Sequence, residues 1–483
     1  MKSTIYKLVL LSLIAISVSI VAKSQQQPDS LWLYLEIAAK NNPAVLQKFN
    51  EYQAALQKVP QVGSLPDPEL SMGVFLSPME LVSGNQVADI RLMQMFPWFG
   101  VIKNAKDEMS LMARAKYESF RDAKLQVFFE VQSTWYDLYK IQQNIDISEK
   151  NIEILRTLER LSLVKYKSSP TSGSNSAVSS GNMSNVNTQN TSSGSTGMNR
   201  MGGNTYNNQS AASNQQNTSM QSNSMGATSG GSGLADLYRI QIEIGELENN
   251  ISLLKNQQKT IIARFNSLLN QPIQSVVLLP DTLMPYSLGV ALLEVSDSIL
   301  TNNPMLLMLL YEQQSLDARK EMVSRMGYPM VGIGVNYSVI NTNEMSTSAM
   351  NGKDMIMPMV TVTLPIYRKK YRALQAETDF MKQATEQGYK STSNSLQTQY
   401  YEALQIYEDA LRRMKLYENQ SLLAKKSLDI MIKSFSASGS GLSDILQIRQ
   451  QLLDYEFKQV EALVDYNTSV ARLNRLMANT QIQ

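Results

Sequence analysis

The chain of 483 residues has no cysteine and no histidine. Without histidine it lacks the commonest general base, proton shuttle and zinc ligand together. Without cysteine it has no disulfide staples and no thiolate nucleophile or ligand. No Gly-Lys-Ser/Thr loop that would cradle a phosphate is present. After the first 24 residues there is no apolar run of 18, so no transmembrane helix is expected. A β-barrel, whose alternating strands leave only a weak hydropathy trace, stays open. No clustered acid/base or nucleophile motif stands out. The expectation is a protein that is not an enzyme and needs no cofactor.

What is present begins with a secretory signal over 1–24. Lys2 and Lys7 precede the apolar stretch Leu8–Val21, and Ala22-Lys23-Ser24 supplies small residues, so cleavage before Gln25 is expected. Taking its three lysines from the 44 basic residues leaves 41 against 42 acidic ones. A near-neutral mature chain gives no electrostatic case for nucleic acid. An exported chain without disulfides must draw stability from packing or oligomerisation.

The sequence also says nearly the same thing twice, and repeats govern fold assignment. Asn41-Asn42-Pro43 recurs as Asn302-Asn303-Pro304, and the same offset carries Pro68 onto Pro329, Gly73 onto Gly334 and Val74 onto Val335. Phe96-Pro97-Trp98 faces Leu364-Pro365-Ile366. Gly233-Leu234-Ala235-Asp236-Leu237 faces Gly441-Leu442-Ser443-Asp444-Ile445. The stretch Ala263–Leu269 faces Ala471–Met477.

Each half reads helix, two strands, long helix, break, helix. In the first, a helix is expected from Leu31 to about Val62, ended by Gly63, Pro66 and Pro68. Strands follow over Leu70–Leu76 and Val87–Met95, with a turn-rich loop at Ser77–Asn85. A helix opened by Pro97 could run to about Tyr166, roughly 100 Å of coiled-coil-like rod. In the second, helices are expected over Leu292–Met326 and Ile366–Phe435, with Gly388 a weak point, and strands over Met330–Ile340 and Met357–Leu364. A last helix spans Leu442–Met477. Pro68, Pro97, Pro329 and Pro365 read as helix–strand borders.

The strands alternate apolar and polar residues, as a sheet with one dry and one wet face requires. They are long enough to cross a bilayer when tilted. Phe96, Trp98, Phe99, Tyr328 and Tyr367 fall at strand ends, where an aromatic belt would lie. Four strands cannot close a barrel, for which at least about eight are needed. Three copies would supply twelve.

The halves differ in one place. Pro97 to Gly233 is 136 residues, whereas Pro365 to Gly441 is 76. The excess, about 168–232, is almost all Ser, Asn, Gly, Gln and Thr and is expected to be a disordered insertion. The domain reading is therefore a signal at 1–24 and a first repeat at 25–277 that includes the insertion. A linker at 278–291, a second repeat at 292–478 and a tail at 479–483 follow.

Taken together, the signal, the doubled helix–hairpin–helix plan, the proline borders, the paired Asp-bearing breaks and the Ala-Arg-x-Asn-x-Leu ends resemble the TolC-like outer-membrane efflux family over nearly all of 31–478. The resemblance implies a mainly α fold with a membrane β-barrel. A homotrimer would form a twelve-stranded β-barrel in outer-membrane lipid and an α-helical barrel across the periplasm. It implies a passive exit duct that meets a periplasmic adaptor and an inner-membrane RND-type pump. By position, Asp236 and Asp444 become the acidic residues of the periplasmic tip, where a ring of carboxylates would narrow the entrance and favour cations. The alternative is that each caps the helix that follows it. The sequence departs from the family at the insertion, and no basic gate residue stands at Phe435–Gly439.

Methionine is abundant, with 27 residues. Met183, Met198, Met201, Met220 and Met225 lie in the insertion; others cluster in and near the second hairpin, such as Met330, Met355, Met357 and Met359. Thioether sulfur suits Cu(I) or Ag(I), and the pattern resembles the copper/silver-efflux branch of the family. Methionine also fills core gaps and loose helix seams. For the hairpin residues packing is the favoured reading, and for the insertion metal gathering is a candidate. The competing functions are a structural or adhesive coiled-coil surface protein, and a duct for drugs or secreted proteins.

Overall fold

The computed structural model describes residues 30–168, 233–289, 292–436 and 441–479. The signal and the insertion, including Met183, Met198, Met201, Met220 and Met225, lie outside the described residues. The described residues fall into two compact units. One holds those up to Ile154 and from Ile244 onward; the other lies within Leu155–Glu243.

In chain order the elements are α1 (Ser30–Asn41), α2 (Pro43–Gly63), β1 (Glu69–Leu81), β2 (Gly84–Phe96), α3 (Val101–Ser168) and α4 (Gly233–Leu268). The plan then repeats as α5 (Leu292–Asn302), α6 (Pro304–Met326), β3 (Met330–Asn341), β4 (Met355–Thr363), α7 (Arg368–Ser436) and α8 (Leu442–Leu476). No described helix is long and apolar enough to cross a membrane.

The first helix of each half is broken rather than continuous, at Asn42 and at Asn303. Asn42 is extended (φ −64°, ψ 124°) and its Oδ1 accepts from the amides of Ala44 and Val45; Asn303 (φ −66°, ψ 125°) accepts from Met305. Pro43 and Pro304 follow at the first helical turn, where the missing N–H costs nothing. These prolines open helices. Pro97, read from sequence as a helix opener, does not: α3 begins at Val101, after Gly100 turns the chain at φ +88°. A Cβ there would stand 2.8 Å from Arg325 Cδ, so glycine meets both the dihedral and the close approach.

The expected loop at Ser77–Asn85 is mostly strand. β1 runs on to Leu81, and only Val82-Ser83 turn before Gly84. Its register slips between Val74 and Met79. Pro78 sits in that irregularity on an edge strand, a position where the absent donor is tolerated.

All four strands form one antiparallel sheet in the order β1-β2-β3-β4. The two hairpins are joined by a long β2–β3 ladder from Asn85↔Asn341 to Phe96↔Val331.

Two cores repeat the duplication. Tyr34, Ala38 and Val45 are buried with Trp135, Phe265 and Leu269; their counterparts Val295, Ile299 and Leu306 are buried with Ala403, Leu473 and Met477. The segment between the repeats is tied across the first core. The Tyr34 and Tyr139 hydroxyl oxygens accept from its backbone amides at Leu278 (2.8 Å) and Leu283 (3.1 Å). Asn467 both accepts from Tyr286 N and donates to Met284 O, at 2.9 and 3.1 Å. Extended backbone that pairs with no strand is satisfied here by side chains.

Candidate channel-lining face and tip

The register divides the sheet into two unlike faces, because side chains alternate along a strand and directly opposed residues share a side. One face carries Leu70, Met72 and Val74 on β1; Ile90, Leu92 and Phe96 on β2; Val331, Ile333 and Val335 on β3; and Ile356, Val360 and Val362 on β4. Most of these are exposed, Val74 and Val360 at 74% and 73%. An exposed apolar face of this extent calls for a partner phase.

The other face carries Ser71, Asp89, Arg91, Asn336, Ser338, Thr361 and Thr363, together with methionines. On β3 this is the shielded side: Gly332, Gly334, Asn336, Ser338 and Ile340 are buried. The wet and dry faces expected from alternation are thus both present.

Aromatic residues gather where the strands meet the helices. Trp98 stacks on Tyr328 with centroids 5.3 Å apart at 16°, and Phe99 packs edge-on against Trp98 at 6.0 Å. Arg325 ties the two halves at the same level by donating to Phe99 O at 3.3 Å. Tyr367 is exposed one residue before α7.

Asp236 lies in the first turn of α4 and Asp444 in the first turn of α8. Asp236 is half-buried and Asp444 exposed. Carboxylates in a first turn are favoured by the helix dipole. Asp444 is not the N-cap residue of α8: that is Gly441, which makes no side-chain cap bond. Within the same unit as Asp236, Leu155, Leu158 and Ile240 are buried, and Gln241 donates to Glu159 at 2.9 Å.

Sequence reading missed the buried cation of α8. Arg449 is 2% exposed, and its Nη1 donates to Asn151 Oδ1 at 3.4 Å. Burial pushes the Glu456 carboxyl above the usual range, opposed by Lys425, a hydrogen bond from Asn151 and Lys150. Asn151 therefore links a buried cation and a half-buried acid. Higher up, burial also raises Asp122, opposed by Arg475, whose own pKa burial lowers. Among the described residues no group of three or more Asp and Glu side chains forms a metal cage.

No family model matches the sequence, and no curated protein does. Solved structures do match. The outer-membrane channel OprN is 12% identical, with a TM-score of 0.67 over 93% of this chain and 90% of that one. VceC, an outer membrane protein of Vibrio cholerae, gives 11% and 0.64 over 93% and 96%. CusC, a transmembrane channel, gives 11% and 0.65 over 94% and 95%.

The chain has the fold of the TolC-like outer-membrane channels. That bears out the resemblance carried by the repeats, hairpins and paired breaks. The TolC-like fold accounts for the mainly helical chain and its four-stranded antiparallel sheet. CusC scores within the same narrow range as its neighbours, so the likeness does not select the copper/silver branch.

Proposed function

We propose that this chain is the exit duct of a tripartite efflux system, set in the outer membrane with a periplasmic extension. Three copies would complete a twelve-stranded barrel, each joining its β4 edge to the β1 edge of a neighbour. The observation that carries the reading is the two-faced sheet. An exposed band of Val, Ile and Leu on one side suits lipid, and the polar opposite side suits a water-filled lumen. The described residues of one chain contribute four strands, with β1 and β4 as edges, and an edge left open in lipid would strand its backbone donors.

The helices would continue the duct through the periplasm towards an adaptor and an inner-membrane pump of the RND type. Asp236 and Asp444 would stand at its tip and give six carboxylates per trimer. Such a ring repels anions and concentrates cations at the mouth. Heavy-metal cations are the proposed cargo class. The duct itself supplies no energy, and opening is a shift in helix packing at the tip.

The test is conductance of the purified protein in planar bilayers. Detergent-stable trimers with discrete, cation-selective currents support the reading. Asp236→Asn with Asp444→Asn is expected to lower the cation-to-anion permeability ratio several-fold. Rods or fibres without conductance would instead favour a coiled-coil surface protein.

A further inference from the structure

The eight strand methionines are not shared evenly between the two faces. Met72 lies on the dry face and Met79 beyond the irregularity of β1, while Met93, Met95, Met330, Met355, Met357 and Met359 all lie on the polar face. That is the reverse of what burial in lipid would select, since Val, Ile and Leu fill the dry side.

Register sets these thioethers at successive levels. Met95 stands opposite Gly332, Met93 and Met359 flank Gly334, and Met357 stands opposite Asn336. A side chain at Gly332 would collide with Met95 Sδ and one at Gly334 with the Leu92 carbonyl, at 2.5 and 2.6 Å, so glycine is what lets the sulfur-bearing strand crowd these levels. Above Gly332 the sulfurs converge: Met95 Sδ and Met93 Sδ lie 2.5 and 3.6 Å from the point where a Cβ would stand. One level on, Asn336 is 7% exposed and its Oδ1 makes no hydrogen bond. Glu69 and Asp89 against Arg91 leave the face mildly acidic, with no carboxylate cage for a hard ion among the described residues.

We propose that Met93, Met95 and Met359, continued by Met357, form a binding site for soft monovalent metal cations, Cu(I) or Ag(I), on the polar face of the sheet. Neutral thioethers prefer such ions to Zn(II), Ca(II) or Mg(II). Several weak sites at successive levels let an ion enter and leave, as conduction requires. Methionine need not lose a proton to bind, so the site works without the pH dependence of thiolate, imidazole or carboxylate ligands. The inference names the cargo of the proposed duct and rests on that reading for its place in transport; the site itself stands on the sheet.

The experiment compares the full chain with the full chain carrying Met93→Leu, Met95→Leu, Met357→Leu and Met359→Leu. Leucine keeps apolar volume and removes sulfur. Both are titrated with silver nitrate in chloride-free detergent buffer, and bound silver per subunit is counted. The methionines of 168–232 are present in both, so the difference reads the sheet alone. The expected result is at least one silver fewer per subunit in the variant, with affinity at that site falling by about tenfold or more. The difference should persist from about pH 5 to pH 7. Equal silver on both chains overturns the proposal, as does a difference that vanishes on acidification. If the fourfold variant does not trimerise, Met93→Leu with Met95→Leu is read the same way. Conductance measured on the same samples separates the two readings: absent currents with intact silver binding sink the duct and leave the site.

Discussion

Asn42 reaches Leu268. Its Nδ2 donates to the Leu268 carbonyl at 2.8 Å while its Oδ1 caps α2. The second half repeats the arrangement with Asn303 and the Leu476 carbonyl at 3.0 Å. One amide thus fastens the start of each half to the end of its closing helix, and both asparagines are buried. Replacing either by alanine removes an N-cap, worth about 1 kcal/mol, and strands a shielded carbonyl, worth about 1–3 kcal/mol. Asn42→Ala and Asn303→Ala are each expected to destabilise by about 2–3 kcal/mol in urea unfolding of the solubilised protein. A loss below about 0.5 kcal/mol would show that water replaces the bond.

The closing helices end alike as well. Asn270 (φ 53°) and Ala478 (φ 57°) are both left-handed, at matched positions of the repeat. Gln271 N bonds Asn266 O at 2.9 Å and Asn479 N bonds Asn474 O at 2.9 Å, as in a Schellman ending. Asparagine adopts this conformation readily, whereas alanine does so at a cost of about 1 kcal/mol. Ala478→Gly is expected to stabilise by about 0.5–1 kcal/mol, and Asn270→Ala to destabilise by a similar amount. Thermal unfolding of the two variants reads opposite signs if the matched endings carry strain as described.

Much of this is legible in the sequence. The offset that pairs Asn42 with Asn303 also pairs the buried Val45 with Leu306, so the repeat was visible because each half buries its own copy of one pattern. The Asn-Asn-Pro motif marked the repeat, yet its role as a helix break was not read from it. The loop assigned to Ser77–Asn85 failed because Pro78 and its polar neighbours look like turn residues. They are tolerated in strand because β1 is an edge with a register slip. Arg449 left no signal at all: an arginine among Ile445, Leu446, Leu452 and Leu453 breaks an apolar stripe, and its partner Asn151 is 298 residues away. The methionine face of the sheet emerged only with the register, since period-two alternation cannot say which strands are neighbours.

Glu456 gives stability a pH dependence with a definite sign. Burial holds its folded pKa above that of an unburied glutamate, about 4.5. The protonated form is therefore favoured by folding. Its contribution is fully present below about pH 4.5 and is lost as pH rises through the folded pKa. Glu456→Gln keeps a group able to bond Asn151 without the buried charge. The variant is expected to unfold at a higher temperature than the parent at pH 7, with the gap closing as pH approaches 4.5. A gap that stays constant with pH would rule out titration of Glu456 as its source.

The two faces of β4 offer the most direct check on which side meets lipid. Val360 is paired with Ile333 within the exposed apolar band, and Thr361, next along the chain, is paired with Gly332 on the polar face. Both sit at nearly the same depth, so they differ in direction alone. A lysine facing hydrocarbon near the middle of a bilayer costs about 2–4 kcal/mol, falling towards zero near the headgroups. Val360→Lys is therefore expected to weaken folding into lipid vesicles by about that amount, or to abolish detergent-stable trimers. Thr361→Lys should fold normally and alter only the selectivity of the pore. Folded and unfolded species can be separated by unheated gel mobility after refolding into vesicles. Equal penalties at the two positions would mean that the apolar band is covered by protein rather than by lipid. The barrel reading would then fall, even with the helices in place.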